Sequence, residues 1–183
     1  MIDAYGTRPA LGYSPVARFL HWTTAALVLF MIPVGFYIAN VENGPFQDQI
    51  YDLHKSVGML ILPLVLIRLA YRLTHPPPPL PADIPMLQQA AAHANHWGLY
   101  AMLIAQPIIG WIGTSAYRAP VNFIWLFAWP PIWREDRKFS DFMFQVHGWI
   151  GIAITVFVAA HIAAALFHHF VRKDEVLTRM LRG

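Results

Sequence analysis

Residues 145–170 read QVHGWIGIAITVFVAAHIAAALFHHF. The run contains no Asp, Glu, Lys or Arg. About 20 apolar residues, rising 1.5 Å each, cross the ~30 Å hydrocarbon core of a bilayer, so this stretch is long enough to span. It nevertheless keeps His147, His161, His168 and His169. Fourteen residues separate the first two. In a helix that spacing advances about 21 Å and returns within ~40° of the starting face. His147 and His161 therefore point the same way from one helix, one near each membrane surface.

Composition places the rest of the chain in the same class. Of 183 residues, 57% are hydrophobic and 13% charged, against about a quarter charged in soluble domains. Apolar runs at 19–39, 57–71, 97–113 and 142–167 are nearly free of charge. They predict one all-α domain over 1–183, an integral membrane four-helix bundle with spans at about 15–39, 49–73, 86–114 and 141–171. Ser14-Pro15 supplies an N-cap followed by proline at the first helical position. The proline run in HPPPPLPADIP, 75–85, ends span two, because proline cannot donate a helical hydrogen bond. That loop reads as a stiff spacer and little more. Pro107 predicts a kink in span three. In the long connection 115–140, Trp125, Trp129 and Trp133 recur every four residues and would share one helical face, predicting a segment on the outer membrane surface.

The absence of cysteine excludes disulfides, thiolate-held iron–sulfur clusters and c-type haem attachment. A metal here must be held by histidine. The net charge of +3 is explained by membrane flanks, without a nucleic-acid partner. Arg8, Arg18, Arg68, Arg72, Arg172, Lys173, Arg179 and Arg182 fall on one side, and Lys55, Arg118, Arg134, Arg137 and Lys138 on the other. The richer side is expected to be cytoplasmic, with both termini there. The first span is too long for a signal-peptide core and is expected to be retained.

With the spans in register, His21 matches His161 in depth at the inner side, and His54 matches His147 at the outer side. Two imidazoles per level are few for zinc, which takes three or four protein ligands. They suit a haem iron, whose porphyrin already supplies four nitrogens. Each candidate also has a small residue about one turn away to admit a flat ring: Ala25, Gly58, Gly151, and Ala164 with Ala165. The bland alternative, a small transporter with histidines that hydrogen-bond between helices, explains single histidines better than four matched by depth.

Several stretches then carry a family likeness: RFLHW in span one, LHKSVGMLILPLVLIRLAYRL and HPPPP in span two, AAHANHWGLYAMLIAQPIIGW in span three, and VHGWIG with AHIAAALFHHFVRKDEVLTRM in span four. The chain resembles the bacterial cytochrome b561 family of four-helix di-haem membrane proteins along nearly its whole length. The resemblance implies two haem b groups, the cytoplasmic-side one held by His21 and His161 and the outer one by His54 and His147. It implies location in the bacterial inner membrane among lipid, and transfer of electrons from superoxide outside to ubiquinone inside.

His168 lies seven residues beyond His161 and is the candidate to donate to, or carry a proton for, a quinone. His93 and His96 share one face at the start of span three and read as headgroup-level residues, with the lining of a quinone pocket as the alternative; His169 reads as a weaker candidate and His75 as solvated. Lys55, Arg137 and Lys138, with Arg118 and Arg134, are the candidates for attracting superoxide or, equally, for holding carboxylates of the outer haem. Arg18 is the candidate to pair with carboxylates of the inner haem. The competing function is an electron-carrier subunit that links a hydrogenase-like or dehydrogenase redox partner to the quinone pool.

Overall fold

The computed structural model describes residues 12–40, 44–81, 83–124 and 126–183. Four long helices form the bundle: α1 (Pro15–Asn40), α2 (Pro45–Thr74), α3 (Met86–Tyr117) and α4 (Arg137–Phe167). All four are long and apolar enough to cross a membrane. Large side chains stand outward, among them Phe19, Trp149, Val156 and Phe170. Water would not tolerate that coat; lipid does.

Three of the four helices start for a local reason. Ser14 Oγ accepts from Ala17 N at 3.2 Å, capping α1 ahead of Pro15. Proline occupies the first turn of α2 after Gly44. Asp136 accepts from Phe139 N at 3.0 Å and caps α4. That cap starts α4 four residues before the expected boundary. Helix α3 stops where Arg118 adopts φ 66°, a left-handed cap. Pro33, Pro63 and Pro107 sit inside α1, α2 and α3.

The core is small: Val28, Ile61, Val65, Tyr100, Leu103 and Ile154. Helix α3 packs along α4 and α1 along α2, whereas α1 meets α4 only sparsely. The bundle is thus two helix pairs joined mainly through α2 and α3. The other side leaves room between α1, α2 and α4.

The connection 118–136 departs from the helical reading. Its centre is an antiparallel hairpin, β1 (Val121–Phe123) with β2 (Phe127–Trp129), pairing Val121 with Trp129 and Phe123 with Phe127. Trp129 is therefore on a strand, Trp133 stacks on Phe139 with centroids 4.9 Å apart, and Trp125 lies outside the described residues. The four-residue tryptophan period has no helix behind it. Side chains of α2 override local pattern. Ser56 Oγ donates to Asn122 O and accepts from Ile124 N, both at 2.9 Å. Lys55 Nζ donates to Pro120 O at 2.7 Å.

The proline loop also does more than space two helices. Ile84 is buried. Asp83 pairs with Arg172 at 2.7 Å, and Pro79 O accepts from Arg179 at 2.8 Å. A π-helical turn, His168–Arg172, continues α4, and α5 (Val176–Leu181) folds back beneath the bundle. There Arg18 Nη1 donates to Leu181 O and Trp22 Nε1 to Met180 O, each at 3.1 Å. The starts of α1 and the end of the chain therefore share one face of the bundle. Arg8 lies outside the described residues.

Candidate functional site

The gap between the helix pairs is where the histidines meet. His21 of α1 faces His161 of α4 with ring centroids 6.1 Å apart. His54 of α2 faces His147 of α4, also at 6.1 Å. A transition metal sits about 2.0–2.1 Å from an imidazole nitrogen. Two rings holding one ion from opposite sides thus have centroids roughly 6 Å apart. Both pairs have that separation. Because the α4 partners lie on one face, the two levels stack along the bundle.

The outer level has the more complete environment. His147 Nδ1 donates to the main-chain oxygen of Gln106 at 3.1 Å, and the Gln106 amide returns a bond to His147 O at 3.0 Å. A ring whose Nδ1 carries the proton has its Nε2 lone pair free for a metal. His54 Nδ1 is buried with no hydrogen-bond partner, a polar atom whose burial makes sense beside a ligand. Both rings line a cavity of about 440 Å³, whose other walls are largely apolar side chains of the four helices, with Gly35, Gly58 and Gly151 among them. Two of these are among the small residues expected near the ligands. A Cβ on Gly35 would come within 3.5 Å of His54 Cε1, and one on Gly110 within 3.1 Å of His147 Cε1. The glycines leave the space a flat macrocycle needs, and the apolar walls suit its faces. The residues fit haem.

At the inner level Arg68 Nη2 donates to His21 Nδ1 at 2.7 Å. Arginine has only donors, so His21 takes this bond with a lone pair and carries its proton on Nε2. Ligation through Nε2 requires that proton to move to Nδ1 and Arg68 to give up this bond. With that exchange His21 and His161, at the same 6.1 Å separation, would offer two ring nitrogens to a haem iron. His96 of α3 brings a third imidazole, 5.3 Å from His161 in a T-shaped contact.

The sequence places His96 at headgroup level or in a quinone pocket and Arg68 at a membrane flank; neither reading brings them to the inner histidine pair. A signal for Arg68 was available: it follows His54 by fourteen residues, the spacing that aligns His147 with His161. Gln106 and Gly110 carried none, because their role is to meet a ring from another helix. His93, exposed, is bonded to Gln89 O at 2.7 Å, and His75 stacks on Tyr71 with centroids 4.1 Å apart. His169 is exposed.

The remaining candidates are dispersed. His168 opens the π turn and its Nδ1 lies 2.5 Å from Asp174 Oδ2, which Arg172 also meets at 3.2 Å. Burial pushes the Asp174 carboxyl up, but hydrogen bonds from His168, Val176 N and Arg172 outweigh it and hold the carboxyl below its ordinary range. Lys55 pairs with Asp52 at 2.6 Å while holding the hairpin. Arg137 lies over the Tyr117 ring at 3.8 Å, and Lys138 is exposed at the start of α4. Arg118 meets Glu135 at 3.7 Å. Arg18 Nε is buried without a partner beside its bond to Leu181 O.

Comparison with known proteins agrees with this architecture. Residues 12–183 match the family model for prokaryotic cytochrome b561. Cytochrome b561 homolog 2 of Escherichia coli is 33% identical over 92% of this chain and 90% of its own length. A probable superoxide oxidase, CybB, of Yersinia pestis is 30% identical over 92% of this chain and 95% of its own. Cytochrome b562 of Cereibacter sphaeroides is 28% identical over 93% and 96%. With four membrane-spanning helices and a family match over almost its whole length, the chain belongs to the prokaryotic cytochrome b561 family of membrane electron-transfer proteins, and membership implies b-type haem.

Proposed function

We propose that this protein is a quinone-reducing superoxide oxidase of the bacterial inner membrane, with both termini on the cytoplasmic side. His21 and His161 hold an inner haem b, and His54 and His147 an outer one. The observation that carries the reading is the pair of equal cross-helix gaps, each 6.1 Å between ring centroids, stacked along one face of α4. A haem held by two imidazoles would supply single-electron transfer.

The residues at each end serve the two half-reactions. Two superoxide anions each lose one electron and leave as dioxygen; ubiquinone takes up the two electrons and two protons. Outside, Lys138 and Arg137, with Arg134, offer positive charge that raises the local concentration of a small anion. Lys55, neutralised by Asp52, holds the hairpin over the outer level near His54. Inside, the Nδ1–H of His168 is engaged by Asp174, which leaves Nε2 to face a quinone oxygen. His168 then passes a proton to that oxygen, and the Asp174 carboxylate stabilises the charged ring. Its position in a π turn supports the assignment, since such turns recur at functional sites.

Stopped-flow spectroscopy of the purified haem-loaded chain tests the reading. Superoxide should reduce the haem within the mixing experiment, and added ubiquinone should reoxidise it. Haem that stays oxidised with superoxide but is reduced by a dehydrogenase or hydrogenase partner would overturn the oxidase and leave the carrier subunit.

A further inference from the structure

The two histidine levels differ in charge. At the outer level, His147 bonds a neutral carbonyl, His54 Nδ1 has no partner, and Lys55 nearby is balanced by Asp52. At the inner level, the half-buried guanidinium of Arg68 touches His21 at 2.7 Å. It is held there by the buried Tyr100 ring, whose centroid lies 5.3 Å away, and Arg72 shares the same ring at 5.9 Å. A small cavity of about 40 Å³ beside them contains both arginines and no carboxylate in its lining. Among the described residues neither Arg68 nor Arg72 forms an ion pair. A guanidinium does not deprotonate in proteins, so this charge is permanent.

We propose that Arg68 sets the reduction potential of the inner haem above that of the outer one, and so directs electrons inward. The inference rests on the assignment of one haem to each histidine pair. Reducing a haem iron adds one negative charge at the ring. A fixed cation in a low-dielectric surrounding favours that reduced state, and the protein's charge and hydrogen bonds are established controls on haem potential. Carboxylates of the porphyrin are the same at both levels, so the difference comes from the chain. Ligation through Nε2 ends the Arg68–His21 bond, but the Tyr100 ring, 5.3 Å away, keeps the guanidinium in the same pocket. Arg68 is thus a positioning residue for charge, outside the set of ligands.

Redox titration of the haem-loaded chain, followed by its visible spectrum, tests this. The component lost in His54→Ala identifies the outer haem, and it should have the lower midpoint. Arg68→Gln should lower the inner midpoint by at least a tenfold change in ferric-to-ferrous ratio, about 59 mV for one electron, and leave the outer one in place. Arg68→Lys, which keeps the charge, should stay near the native value. An unshifted inner midpoint in Arg68→Gln, an equal shift of both, or a higher midpoint for the outer haem would overturn the proposal. If Arg68→Gln loses the inner haem, Arg72→Gln, which keeps the His21 contact, reads the same field: a smaller drop supports the proposal and no drop overturns it. A native chain without two b-type components would overturn the ligand assignment as well, which separates that failure from an unshifted midpoint.

Discussion

His147 and Gln106 are joined twice: the imidazole Nδ1 donates to the main-chain oxygen of Gln106 at 3.1 Å, and the Gln106 amide donates to the main-chain oxygen of His147 at 3.0 Å. The double bond ties α3 to α4 at the outer level and orients the ring. Gly110, one turn on from Gln106, makes the approach possible, because any Cβ there would crowd His147.

Gly110→Leu should therefore displace the His147 ring and weaken or abolish the outer haem while leaving the inner one. Haem per chain, measured as the pyridine complex, should fall from two toward one. Gln106→Ala should do far less, since the main-chain acceptor of His147 remains; a cost of about 1 kcal/mol in stability is expected from the lost amide bond.

His54→Ala or His147→Ala should each remove the same spectral component and retain the other. His21→Ala and His161→Ala should remove the complementary one. Any cross-pairing, such as one component lost in both His21→Ala and His147→Ala alone, would contradict the arrangement of rings across the helices.

His168→Ala should retain both haems but slow quinone reduction by about 10²-fold or more, the usual weight of a positioned proton donor. Loss of a haem instead would make His168 part of the bundle's support. Stopped-flow reoxidation by a soluble ubiquinone analogue measures the rate.

Asp174 gathers His168, Arg172 and Val176 N around a carboxyl held below its ordinary range. A depressed carboxyl contributes stability that is complete above its unfolded value, about 4, and is lost as pH falls through the folded value. Protection factors across 173–183, with the intrinsic pH dependence of amide exchange divided out, should thus fall on acidification below about pH 4. Asp174→Asn should show the faster exchange already at neutral pH.

Ser56 is buried and serves both Asn122 O and Ile124 N. Ser56→Ala removes both bonds at once and leaves these main-chain groups unmatched. Stability should fall by about 1–2 kcal/mol, read as a lower midpoint of thermal unfolding in detergent, with the hairpin more accessible to protease.

The spans and the facing of His147 and His161 were legible in the sequence because helix periodicity is a local property: fourteen residues mean two rings on one side whatever surrounds them. Depth alone also matched His21 with His161 and His54 with His147. The hairpin at 121–129 was not legible, since its strands form on hydrogen bonds from Ser56 and Lys55, over sixty residues away. Nor was the use of Pro79 and Asp83 as anchors for Arg179 and Arg172.

What the amino-acid order determined by itself, then, was a four-span bundle with histidines at two depths, through apolar run length and helical repeat. Tertiary packing decided the 6.1 Å ring separations, the arrival of His96 beside His161, the bond that fixes His147 and the placing beside His21 of an arginine without an ion pair among the described residues. Those depend on how far apart helices lie and how they are rotated about one another. Both are set by side chains meeting across the bundle, which no count along a single helix contains.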